Sequence, residues 1–140
     1  MPHPRYSVKT SLNDIGLVRL SAIVTYTDFI RPICLPLSAN ETFLNGQQFS
    51  VSGWGYVGFA EEQTTIKKKI STTFVSYEIC KSHYANSVKL VSPFHICAIE
   101  SEAYICQGDS GGPLMLKVKQ QWVQVGILSF GKVCGAKFPS

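Results

Sequence analysis

Apolar and polar residues alternate along much of this chain, a period-two pattern that predicts strands. Residues 48–55, Gln-Phe-Ser-Val-Ser-Gly-Trp-Gly, alternate cleanly and read as one strand ending in a Gly-Trp-Gly turn. Residues 63–75 read as another, and Ser76 is placed to cap a short helix over residues 77–84 that carries Cys80. Residues 93–98 read as a strand containing His95, while His83 falls in the helical stretch. Residues 113–118 and 122–130 read as a hairpin across a Gln120-Gln121 turn. Nearer the start, Asp14 leads into Ile15-Gly16-Leu17-Val18-Arg19-Leu20, a mostly apolar run that reads as a buried strand. Residues 26–36, with Pro32 and Pro36, form an extended connector, and His3-Pro4-Arg5-Tyr6 is a loop because proline disfavours helix on both its sides. No helical stripe exceeds two turns, so the pattern predicts an all-β body.

Composition agrees, with 11 glycines, 7 prolines and 8 phenylalanines in 140 residues that are 45% hydrophobic, enough for one globular domain. The net charge of +4 is modest, and Lys67-Lys68-Lys69, lying in a strand-like stretch, reads as a solvated face rather than an anion site. No nucleic-acid module is visible and no segment approaches the length of a membrane span. Five cysteines without a paired Cys-x-x-Cys point to an oxidising, extracellular compartment and not to zinc. Asn40-Glu41-Thr42 is a glycosylation sequon. Met1-Pro2-His3-Pro4-Arg5 has no apolar core of a signal peptide, so the native start is expected elsewhere.

The candidate chemistry sits in Cys106-Gln107-Gly108-Asp109-Ser110-Gly111-Gly112-Pro113. An acyl-transfer nucleophile must stand clear of the backbone with amide N–H groups aimed at the oxygen that becomes negative. Glycines at 108, 111 and 112 permit that backbone, leaving Ser110 as candidate nucleophile and the Gly108 and Ser110 amides as candidate oxyanion donors.

The octet resembles the nucleophile loop of the chymotrypsin-like serine proteases, and the resemblance extends over nearly the whole chain, in a form most like the insect clip-domain proteases. It implies a double antiparallel β-barrel, here incomplete, with residues 1–36 the end of the first barrel and the connector, and residues 37–140 most of the second. Asn13-Asp14-Ile15-Gly16-Leu17 resembles the segment whose aspartate orients the catalytic histidine, which assigns that role to Asp14. The family's histidine lies upstream in an Ala-Ala-His-Cys motif that this sequence lacks, and His3, His83 and His95 do not replace it. The chain is therefore expected to be an inactive fragment of a serine endopeptidase.

By the same resemblance, Ser129, Phe130 and Gly131 line the substrate strand. Asp109 is the partner of the amino terminus freed on activation, and is expected here to be an unpaired carboxylate in a poorly ordered or zymogen-like loop. Tyr104 stands where trypsin-like members carry a pocket aspartate, Ile105 replaces a small residue and Ser140 replaces a pocket glycine, so no strong preference for Arg or Lys is expected. The implied disulfides are Cys80–Cys97 and Cys106–Cys134, with Cys34 bonded to a clip or activation segment outside the chain. No cofactor or metal is implied. Partners would be a protein substrate and a serpin-type inhibitor, with no nucleic acid and no membrane. The alternative is a non-catalytic protease homologue acting as a cascade cofactor or binding module.

Overall fold

A computed structural model describes residues 1–38, 42–56, 63–86, 91–100 and 105–131. Along the chain come β1 (Gln48–Gly53), β2 (Lys68–Val75), α1 (Tyr77–His83), β3 (Cys97–Glu100), β4 (Pro113–Val118) and β5 (Gln121–Ile127). The strands form one sheet in the order β3-β2-β1-β4-β5, with every neighbouring pair antiparallel.

The centre of that sheet is the strand whose alternation is clearest in the sequence. Phe49 and Val51 on β1 point to one face and are buried there with Leu114, to which Val51 is directly paired. Phe43 and Phe74 close over Phe49, the Phe43 ring edge-on at 5.2 Å and the Phe74 ring edge-on at 6.2 Å. Edge-to-face contact suits the ring quadrupoles and adds about 0.5–1.5 kcal/mol per pair beyond burial. Ser50 faces the other way and is also buried.

The helix begins where the sequence placed it. The Ser76 side chain accepts a hydrogen bond from the Ile79 amide, Glu78 lies in the first turn, and Lys81 and His83 lie in the last, matching the helix dipole. Tyr84 caps its end. A disulfide joins Cys80 on α1 to Cys97 at the start of β3, so the short helix is fastened to the sheet.

Four expectations are corrected. The strand expected over residues 63–75 starts only at Lys68, because the Thr64 hydroxyl donates to the Ile66 carbonyl and accepts from the Ile66 amide, folding residues 64–66 into a turn. The hairpin turn is Lys119-Gln120, with Lys119 at φ 54°, and β5 stops at Ile127. His95 precedes β3 instead of lying in it, its Nδ1 held by the Ser92 amide at 3.0 Å. The apolar run after Asp14 is not buried: Ile15, Leu17, Val18 and Leu20 are exposed, and the segment's contact with extended chain is a single bridge between Pro2 and Gly16. No described strand of the sheet runs beside it.

One irregularity positions the site. Leu114 pairs with Gly126 but Met115 pairs with Gln124, leaving Val125 as the extra residue of a bulge. Beyond the bulge the ladder continues through Leu114–Gly126 and Pro113–Ile127 up to the loop that holds Ser110.

Candidate active site

The loop from Cys106 to Pro113 is folded on its own carboxylate. Asp109 is only 7% exposed, yet both its oxygens are satisfied: Oδ1 accepts from the Gly55 amide at 2.8 Å and Oδ2 from the Cys106 amide at 3.2 Å. Backbone N–H groups thus take the place of water at both oxygens of the buried carboxylate. Asp109 makes no ion pair among the described residues, and two backbone amides, which the sequence did not signal, satisfy its oxygens instead. The loop is closed by two turns, Asp109 N–H to Cys106 C=O at 3.1 Å and Gly112 N–H to Asp109 C=O at 2.9 Å.

This arrangement demands glycine on the facing strand end. A Cβ on Gly55 would stand 2.5 Å from the Asp109 carboxylate, and one on Gly53 would overlap it. The Gly-Trp-Gly motif is therefore a cradle for Asp109, a role that the sequence signalled only by two glycines flanking an aromatic residue. Gly108 has φ 97° and Gly111 φ 82°, so the turns on either side of Asp109 and Ser110 use the left-handed region. Ser110 is exposed at the surface of the loop. Among the described residues neither the Gly108 nor the Ser110 amide donates to a carbonyl, and the Ser110 hydroxyl has no hydrogen-bond partner.

The loop is stitched to the segment after β5. Gly111 N–H donates to Leu128 C=O, and Leu128 N–H donates to Gly112 C=O, both at 2.9 Å. The next residue, Ser129, donates its hydroxyl to Asp14 Oδ2 at 2.6 Å across 115 positions of sequence. Asp14 is thereby brought to the same end of the sheet as Ser110. The sequence assigned Ser129 only a backbone role, and nothing local in it signals this side-chain bond.

His95 lies within electrostatic reach of Asp14. Burial pushes its imidazole below the ordinary histidine range, while the Asp14 carboxylate and a hydrogen bond with the Ser11 backbone pull the other way. Its ring meets Phe130 edge-on at 5.5 Å, and Phe130 meets Tyr84 at the same distance, making an aromatic wall beside Ser129. His3 is not joined to the nucleophile: its Nδ1 accepts from the Arg5 amide at 3.1 Å. No described imidazole reaches the Ser110 hydroxyl.

Ile105 is half-buried ahead of the loop, and Gly131 lies open with space around it. Cys106 is disulfide-bonded, and Cys34 is a free, exposed thiol. Tyr104, Ser140, Cys134 and Asn40 lie outside the described residues.

The Trypsin family profile matches residues 1–140. The chain belongs to the trypsin family. Its five-stranded antiparallel sheet is accordingly part of a trypsin-like β-barrel. Mannan-binding lectin serine protease 1 of Rattus norvegicus is 38% identical over 141 residues, covering 98% of this chain and 20% of that protein. CLIP domain-containing serine protease B9 of Anopheles gambiae is 34% identical, over 95% of this chain and 33% of its own length. Proclotting enzyme of Tachypleus tridentatus is 35% identical, over 94% and 36% respectively. The chain thus spans 20% to 36% of the length of these three trypsin-family relatives. Among the described residues no helix is long and apolar enough to cross a membrane.

Proposed function

We propose that the chain is the nucleophile-bearing part of a secreted serine endopeptidase that cleaves a protein substrate in an extracellular proteolytic cascade, by way of an acyl-enzyme. The observation that carries this reading is the Ser129 to Asp14 hydrogen bond, which draws the acidic residue of the early segment to the end of the sheet where Ser110 is exposed. In this reading Ser110 attacks the peptide carbonyl, and the Gly108 and Ser110 amides stabilise the tetrahedral oxyanion. A histidine from polypeptide outside this chain takes the Ser110 proton and returns it to the leaving amine, with Asp14 fixing its tautomer. Residues 1–36 belong to the first barrel and the connector, and residues 37–140 to the second.

Asp109 is the group that the newly freed amino terminus engages on activation, exchanging the Gly55 and Cys106 amides for a cation. Residues 129–131 pair with the substrate strand. Tyr104, Ile105 and Ser140 shape a pocket without a carboxylate, so a basic side chain gains nothing there. Cys34 bonds the clip or activation segment, Cys106 pairs with Cys134, Asn40 carries glycan, and a serpin-type inhibitor acylates Ser110.

A non-catalytic cascade cofactor is the second reading, supported by Tyr104 and Ile105 standing where trypsin-like members carry a pocket aspartate and a small residue. Fluorophosphonate labelling of the protein with its preceding polypeptide restored and activated separates the two. Labelling at Ser110, lost in Ser110→Ala and slowed by about 10⁴-fold in Asp14→Asn, is the expected result for the enzyme. A folded, activated protein that takes up no probe belongs to the cofactor class. Efficient cleavage of an Arg-linked chromogenic substrate would overturn the pocket assignment alone.

A further inference from the structure

The lysine run that reads as a solvated strand face borders a groove. Between the connector and the sheet lies a cavity of about 570 Å³, lined by Arg31, Ile33, Cys34, Lys67, Lys68, Lys69, Met115 and Trp122 among others. That volume lies within the range of ligand clefts. The connector forms its outer wall by adding one parallel bridge to β5: Cys34 N–H donates to Trp122 C=O at 3.3 Å, and Gln124 N–H donates to Cys34 C=O at 2.9 Å.

Its charge is one-sided. Lys69 from β2 and Lys117 from β4 both stand over the Trp122 ring, with Nζ 5.3 Å and 5.8 Å from its centroid, and Lys67 stands over Trp54. The indole ring attracts each ammonium, so Trp122 draws two lysines from different strands to one place. Among the described residues the one ion pair here is Arg31 with Asp28, so none of these lysines has a carboxylate partner. Among the described residues, Arg31, Lys67, Lys68 and Lys69 line the groove and Lys117 stands over its Trp122, against the single carboxylate of Asp28.

We propose that this groove is a docking site for an acidic polypeptide segment of a partner protein, bound extended between the connector and the lysines. Carboxylates complement the ammonium groups of Lys67, Lys68 and Lys69 and the Arg31 guanidinium that line the groove. Aliphatic side chains between the acids cover Ile33, Met115 and the indole, which a uniformly anionic chain would leave uncovered. This proposal stands independently of the protease reading.

Fluorescence polarisation of the full chain with a labelled peptide of alternating Glu and Leu, against the same peptide with Gln for Glu, tests it. The acidic peptide should bind saturably, weaken with salt, and lose at least about tenfold in affinity in Lys68→Glu/Lys69→Glu. Lys69→Gln/Lys117→Gln, milder substitutions at the Trp122 ring, should weaken it in the same direction if the charge reversals unfold the sheet. Bound peptide should slow alkylation of Cys34 by iodoacetamide, which places it in this groove. Equal binding of the Gln peptide, indifference to both double substitutions, unprotected Cys34, or binding of a sulfated oligosaccharide in place of the peptide would each overturn the proposal.

Discussion

Phe29 and Phe49 are the same side chain in two parts of one molecule, 98% exposed in the early segment and 1% exposed in the sheet. The segment around Phe29 is held by short-range bonds: Thr27 Oγ1 accepts from the Phe29 and Ile30 amides, and Arg31 Nε donates to the Thr27 carbonyl four residues back. Phe49 belongs to a strand with a hydrogen-bonded neighbour on each side, drawn from residues about 20 and 65 positions further along the chain. Hydrophobic sequence is thus not sufficient for burial. A strand is buried by lateral partners and by a second layer of side chains, and residues 1–38 meet neither over most of their length.

The strongest way to break that contrast is a pair of truncations. Phe49→Ala should cost about 3–5 kcal/mol in chemical denaturation, while Phe29→Ala should stay within about 0.5 kcal/mol. Equal losses would mean that residues 1–38 are docked on an apolar surface after all.

A smaller effect sharpens the comparison within the folded half. Asp109→Ala leaves the Gly55 and Cys106 amides without acceptors and should cost about 1–3 kcal/mol. Asp109→Asn keeps one acceptor and should cost less. Denaturation curves for the two variants that coincide with the wild type would show that the carboxylate does not hold the loop.

The smallest effect lies where the two regions touch. The folded state holds His95 below its unfolded pKa, so the unfolded chain binds the extra proton first as pH falls. Stability from this group is fully present above about pH 6.5 and declines as pH falls through the window between the unfolded and folded values. Asp14→Asn removes the charge that supports the imidazolium, so it should lower the His95 pKa further and carry the decline to lower pH. An NMR titration of the ring reads this directly, and an unchanged His95 midpoint in Asp14→Asn would separate the two regions electrostatically.

How much was legible beforehand differs between these regions for the same reason. β1, the cap at Ser76 and the hairpin from Pro113 follow from period-two alternation and capping chemistry, both local, and they appear within a residue or a few of where the sequence puts them. The strand expected from residue 63 failed at Thr64, where a hydroxyl competes with the ladder, and the run after Asp14 failed for want of a neighbour. In the site, Ser110 and its glycines are legible because backbone geometry restricts residue type. The Ser129 hydroxyl on Asp14 and the electrostatic coupling of His95 to that carboxylate are not, because neither side chain is unusual for its own stretch of chain.

By itself, the order of residues determined the all-β character, the central strand, the helix cap and a loop able to present a serine hydroxyl. Each depends on side-chain size, branching or hydrogen-bonding capacity within a few positions. The tertiary structure alone decided which apolar runs are buried, how Asp109 is satisfied by two distant amides, and that three consecutive lysines face a tryptophan-floored groove. Those outcomes depend on which segments become neighbours, and lateral pairing joins residues that no local pattern connects.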